Sequence, residues 1–422
     1  MESIKLNRFI YFSAIFIICF LVFVLRRPDI ITNAQFWAED GTVWYSQANL
    51  MGPIQSLILP RQGYYQSISK LVASMSLLIP IYYAPLFYNI ISISLRCFVV
   101  MFLLSKRMNM YNLPSRFMIA AFVLLMPHLE EVHANITNAQ WYLSMLLFMV
   151  LIANKPESIY GKIHYVAVLI VAGLSGPFIV FMAPLLALKL ISNASGDTIV
   201  RKTFNAVKGI DWFSVIFVVV VLIQTMSIVL SYDDTRVHTE LGATLQLLIN
   251  IFSSRVFAGF ALSDSSVYAL WHMNTLNNII AAISIPIIVF TLYRANWRTW
   301  AIVFYPFVMV SFALARPMIS TEIPQWHGLE YPGTGQRYFL ITGVFWFSIL
   351  LLAASKSIKP VKIAAYAALI AVIIKVAIFD FHMLPLPDAN WSSQVEKYHN
   401  AKTGDVVTMS INPPGWTMEV VK

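Results

Sequence analysis

The stretch 36-FWAEDGTVW-44 decides how the rest of the chain is read. Two adjacent acids, Glu39 and Asp40, stand between tryptophans just after the first long apolar run, residues 9–25. A carboxylate at a membrane boundary is costly to desolvate unless it is paired or put to use. Trp37, Trp44 and Tyr45 are the side chains that settle where headgroups meet hydrocarbon. The stretch therefore marks a water–lipid boundary, and Gly41 is expected to permit a turn that projects the acids.

Outward from this point the chain stays apolar. Of its 422 residues 59% are hydrophobic and 12% charged, against about half and about a quarter in a soluble domain. Mean hydropathy is +0.71. The fold class that follows is an all-α polytopic membrane protein. Spanning helices are expected at 9–25, 84–104, 116–127, 139–153, 163–175, 178–191, 212–230, 276–293, 299–314, 338–354 and 361–379. No basic block with interleaved aromatics accompanies the net charge of +9, so nucleic acid is excluded as a partner. The two cysteines, Cys19 and Cys97, lie inside apolar runs and read as small buried hydrophobes. The N-terminal apolar run has no small-residue cleavage site before Arg26 and is read as a retained helix.

With the N-terminus in the cytoplasm, 16 of the 29 Lys and Arg fall on the inner side, together with only 4 of the 20 acids. That asymmetry sets the orientation. It places the C-terminus outside and the polar loops 26–83, 128–138, 231–275 and 315–337 on the extracytoplasmic face. Arg26 and Arg27 go against the pattern. Residues 67–80 read as an interfacial or re-entrant helix, and 241–260 as an amphipathic helix on the membrane surface. Residues 1–379 are expected to form the transmembrane catalytic domain and 380–422 an outer cap.

Four constellations carry candidate chemistry. Glu39 and Asp40 come first: a carboxylate at the boundary can take the proton of an attacking sugar hydroxyl. The second is 127-PHLEEVHANITNAQWYL-143. Its amides fork onto hydroxyls and its indole stacks on a sugar ring, which makes Glu130, Glu131, His133, Asn138, Gln140 and Trp141 candidate sugar and acceptor contacts. The His/Glu spacing is not that of a metal site. The third is 330-EYPGTGQRYFL-340, where Arg337 re-enters the membrane and needs an anionic partner. Guanidinium matches two phosphate oxygens at once, and Arg316 is a second candidate of this kind; Lys70 and Arg61 are further cations in the first loop. The fourth is the tail, in which a helical piece, a turn at Thr403-Gly404 and a β-like run precede NPPGW. Trp391 and Trp416 are expected there to pack against each other.

The combination of FWAEDG, NITNAQWYL, LSGP at 174–177, GQRYF and INPPGW resembles the GT-C class of membrane glycosyltransferases. In style it is similar to the bacterial and phage serotype-converting O-antigen glucosyltransferases. The resemblance implies a GT-C-like bundle in the bacterial inner membrane. It implies a polyprenyl-phosphate-linked sugar donor, undecaprenyl-phosphate glucose in the nearest cases, whose lipid tail lies in a groove between helices. The implied acceptor is a hydroxyl of a lipid-linked O-antigen or related polysaccharide. Asp40, slightly ahead of Glu39, is then the base, and Arg337 stabilises the departing lipid phosphate. The resemblance leaves open whether a divalent cation, Mg or Mn, assists at the donor phosphate. The competing readings are a polysaccharide polymerase or ligase, and a lipid or sugar transporter that would use Arg96, Lys375 and Asp380 inside the membrane.

Overall fold

A computed structural model describes residues 2–231 and 239–422, with side chains from residue 10 onward. Helices stand at all eleven expected positions. They are α1 (Glu2–Arg26), α2 (Ala84–Leu104), α3 (Leu113–Leu125), α4 (Ala139–Ile152), α5 (Ile159–Gly173), α6 (Phe178–Asn193), α7 (Trp212–Leu230), α8 (Asn274–Leu292), α9 (Trp297–Ala315), α10 (Gln336–Lys356) and α11 (Lys359–Phe379). Their starts follow local chemistry. The side chains of Asn112, Ser158, Asp211 and Asn296 each accept the backbone N–H three residues on, satisfying a donor the first turn leaves open.

The chain is an all-α polytopic membrane protein. Six helices, among the described residues, are long and apolar enough to cross a bilayer: α2 with its preceding turn, α7, α8, α9, α10 and α11. Of the other apolar helices, α3 to α6 are shorter, at 13 to 16 residues. The 14-residue α4 extends about 21 Å at 1.5 Å per residue, but every one of its residues is buried. A helix surrounded by protein has no hydrocarbon thickness to match. α10 is the other central element, 83% buried over its apolar window, while α11 is 11% buried and faces outward. Stacked rings join the two central helices to their neighbours: Phe148 lies on Tyr305 with centroids 5.0 Å apart, and Phe122 on Phe347 at 4.4 Å.

The segment 67–80 forms a ten-residue helix, Ser67–Ser76, roughly 15 Å long and too short to span. The segment 241–260 becomes a helix Leu245–Ile251 that continues as a π-turn, Phe252–Phe257. The tail folds as a helix Trp391–Asn400 and a hairpin of β1 (Val406–Ile411) and β2 (Trp416–Val421), antiparallel with Val406 opposite Val421.

The two ends of the bundle differ. At one end Arg107 and Arg298 hold Asn154, Lys155 pairs with Asp211 at 2.7 Å, and Lys356 donates to the last carbonyls of α8. At the other end the loops 26–83, 128–138, 252–272 and 315–337 converge with the tail. Arg26 and Arg27 belong to this second end and are buried there. Arg26 donates to the carbonyls of Leu124, Met126 and Phe381; Arg27 donates to those of Glu130 and Leu384. Arg26 thereby caps the negative C-terminal end of α3, and Arg27 braces the loops that follow α3 and α11. That role explains why they depart from the charge rule for loops.

Candidate functional site

The acid turn is held from both sides. Ala38, at φ 44°, donates its N–H to the carbonyl of Asn412, and Asn412 returns an N–H to the carbonyl of Phe36 at 3.1 Å. The Asn412 amide donates further to Gln35 and to the carbonyl of Pro387. Thr42, Ser46 and Asn49 bond to β2. The expected turn at Gly41 has a different cause: Ala38 takes the left-handed conformation, while Gly41 leaves room for the hairpin. A Cβ there would meet Ile411 at 2.8 Å and Met418 at 3.2 Å. Trp391 packs edge-on to Phe36 at 5.3 Å and donates to the carbonyl of Tyr82. Trp416 stands half-exposed on the hairpin.

The two acids of the turn have different surroundings. Asp40 is 1% exposed. Its carboxylate accepts the N–H of Ile136 at 2.9 Å, the N–H of Thr137 at 2.8 Å and the Thr137 hydroxyl at 2.6 Å. Burial pushes its pKa up to about 7, and these donors hold it back. Asp40 thus fastens the second polar loop to the first, with Trp44 donating to Thr137 alongside. Glu39 is half-buried and accepts no hydrogen bond among the described residues. It lies within electrostatic reach of the Arg337 guanidinium, as does Tyr64.

The second loop meets the start of α10. Arg337 ion-pairs with Glu131 through its guanidinium, and its N–H approaches the same carboxylate at 3.3 Å. Its other guanidinium nitrogen donates to the carbonyl of Met318 at 2.9 Å and the Tyr338 hydroxyl at 3.1 Å. Gln336 donates to Glu130 at 2.5 Å and accepts the N–H of Glu131 at 2.8 Å. Arg316 is exposed at the end of α9, two residues from Met318.

His133 and Asn138 face the protein interior. His133 is buried and donates Nε2–H to the carbonyl of Phe23 at 2.9 Å. Burial, with Arg26, Arg27 and Arg96 nearby, pushes its pKa well below the usual histidine range, so it is neutral. Asn138 donates to the carbonyl of Glu131. Gln140 and Trp141 differ from these. Among the described residues Oε1 of Gln140 and Nε1 of Trp141 are buried without a partner, and the indole stands 4.8 Å from the Phe178 ring and 5.9 Å from that of Tyr338. Unpaired polar atoms at such depth are costly unless something else completes them.

Three further supports hold these loops, of which only the turn 174–177 was singled out in the sequence. The turn 174–177 docks the first loop: Gly176, at φ 101°, donates to the carbonyl of Tyr65, and the Ser175 hydroxyl accepts the N–H of Ile68. Gln224 of α7 ties both through donations to Tyr65, Gly173 and Gly176. Arg255 donates to four carbonyls between Leu329 and Thr334 and stacks on Phe339 at 4.7 Å. A polar residue in an otherwise apolar helix, such as Gln224 or Arg255, is the available sequence signal. Among the described residues no three His, Cys, Asp or Glu gather as ligands for a metal.

No family model matches the chain, and no curated protein matches it. Its fold is similar to the crystal structure of the Archaeoglobus fulgidus oligosaccharyltransferase in complex with Zn and sulfate, with a TM-score of 0.46 and 11% identity. The match covers 92% of this chain and 55% of that one, so the chain spans about half the length of the structure it resembles.

Proposed function

We propose that the chain is a membrane glycosyltransferase of the GT-C type. It moves a hexose, glucose in the first instance, from undecaprenyl-phosphate-sugar to a hydroxyl of a lipid-linked O-antigen or related surface polysaccharide. The reaction runs on the periplasmic face of a bacterial inner membrane, with the N-terminus in the cytoplasm. The observation that carries the reading is Glu39, an acid without a hydrogen-bond partner among the described residues and within reach of Arg337. Glu39 takes the proton of the acceptor hydroxyl as its oxygen attacks the anomeric carbon and the lipid phosphate departs. Arg337 and Arg316 receive the charge on that phosphate. Arg337 exchanges its bond to Glu131 for the phosphate or keeps both. Gln140 Oε1 and Trp141 Nε1, unpartnered among the described residues, meet sugar hydroxyls. Asp40, engaged by three donors, positions the loop that bears them. No step is routed through a divalent cation.

A transporter or flippase has less support. Arg96, its candidate in α2, donates to the carbonyls of Ser92, Val132 and Asn135 and stacks on Tyr142 at 4.4 Å. Lys375 pairs with Asp380. The test is the surface glycan of cells with and without the chain, read by mass spectrometry, then of cells carrying Glu39→Gln. Loss of one hexose per repeat in the variant supports the reading; full addition by Glu39→Gln overturns it.

A further inference from the structure

A second polar–aromatic surface lies on the same end of the bundle, outside the acid site. Tyr268, on the helix Asp264–Trp271, and Tyr331 hold their rings nearly parallel, with centroids 6.0 Å apart and planes at 28°. They are 41% and 51% exposed. His272 stands edge-on to Tyr268 at 5.1 Å, and its Nε2 lies 3.1 Å from Glu330 Oε1. Glu330 also bears on the Tyr268 hydroxyl.

This surface is built on a rigid base. The carbonyls of Leu329, Tyr331, Pro332 and Thr334 all accept from Arg255, which is itself buried. On the other side, His128 joins Asp264 and the carbonyls of Gly259 and Leu262. Arg255 therefore holds the loop that carries Tyr331 in one shape before any ligand arrives, and ordering costs are reduced accordingly.

We propose that Tyr268, Tyr331, His272 and Glu330 form a saccharide-binding platform. The apolar C–H face of a pyranose stacks on a phenol ring. Carboxylate, imidazole and phenol groups at the rim supply both acceptors and donors for the ring hydroxyls. A lipid-facing aromatic belt fits less well, because a carboxyl group and an imidazole would then stand against hydrocarbon. The platform rests on the proposed function only in its final step: Tyr331 lies six positions before Arg337, so the bound glycan is the acceptor, held beyond the residue it offers for transfer.

The experiment uses the full chain in nanodiscs and saturation-transfer NMR with three neutral probes: maltopentaose, chitotetraose and a rhamnan tetrasaccharide. At least one probe receives saturation from the wild type. The signal falls about fivefold in Tyr268→Ala and in Tyr331→Ala, as loss of one ring contact implies, and Tyr331→Phe retains it. An unchanged signal in the double alanine variant, or none from any probe with the wild type, overturns the platform. So does quenching of a bimane label at Tyr331→Cys by spin-labelled lipid, which would make the surface a membrane contact. Glu39→Gln binds the probes as the wild type does. Failure of transfer and failure of the platform are therefore read separately.

Discussion

Two pairs of adjacent acids meet at the same end of the bundle and are treated differently. In 130–131 both carboxylates have side-chain partners on α10: Glu130 takes Gln336 and Glu131 takes Arg337. In 39–40 the pair is divided. Asp40 is buried under three donors, and Glu39 has none among the described residues. Adjacent acids thus end in different surroundings, because one points into a neighbouring loop and the other does not; the proposed function gives the second the role of base. A folded chain hydrogen-bonds nearly all of its buried polar atoms, so the acid left open is the informative one.

The sharpest way to break this contrast is Glu39→Gln against Asp40→Asn. Glu39→Gln should lower sugar transfer by about 10²–10⁴-fold, the usual range for a general base, with thermal unfolding unchanged. Asp40→Asn should act on stability instead. An amide sets an N–H₂ against a backbone donor, and at pH 8 the loss should be about 1–3 kcal/mol, read by thermal unfolding in detergent. If both variants unfold alike and lose transfer alike, the division of roles is wrong.

Acidity sharpens the same comparison. The folded-state pKa of Asp40, about 7, lies above the ordinary 3.8, so the folded protein holds a proton that the unfolded chain releases. Its contribution to stability is complete below about 3.8, declines as the pH rises towards 7, and is gone above that, by no more than about 1.4 kcal/mol per pH unit. Asp40→Asn should flatten this part of the stability curve. Arg337→Ala should raise KM for the lipid-phosphate donor about tenfold, as loss of a charged hydrogen bond implies, and leave KM for the acceptor unchanged. At the opposite end Lys155→Ala should cost below about 1 kcal/mol, since Lys155 is largely exposed in its pair with Asp211.

Most of the helical architecture was legible because apolar runs are the strongest signal a sequence carries. All eleven positions hold helices, although α3 to α6 are shorter than a full span; of these α4 is buried throughout and has no hydrocarbon thickness to match. The site was legible only as a set of residue types. Composition does not tell that Asp40 lies inward, since its partners, Ile136 and Thr137, are 96 and 97 positions away and donate mainly through the backbone. Likewise His133 and Asn138 were expected as sugar contacts, but the His133 side chain ties its loop to α1 and that of Asn138 braces the loop itself. Arg26, Arg27 and Arg96 mislead for a related reason. A guanidinium inside a membrane protein can be a brace for carbonyls as readily as a topology mark or a transport group.

The hairpin over the acid turn has a consequence for biogenesis. Thr42 and Thr417, which bond across the seam, are 375 positions apart. At about 5–20 residues per second, a ribosome takes roughly 20–75 s to travel between them. For that interval the turn bearing Glu39 is already made and has none of its hairpin partners. The centre therefore matures late, after nearly every helix has been inserted, and a chain halted before residue 406 would leave the turn without its β-strand support.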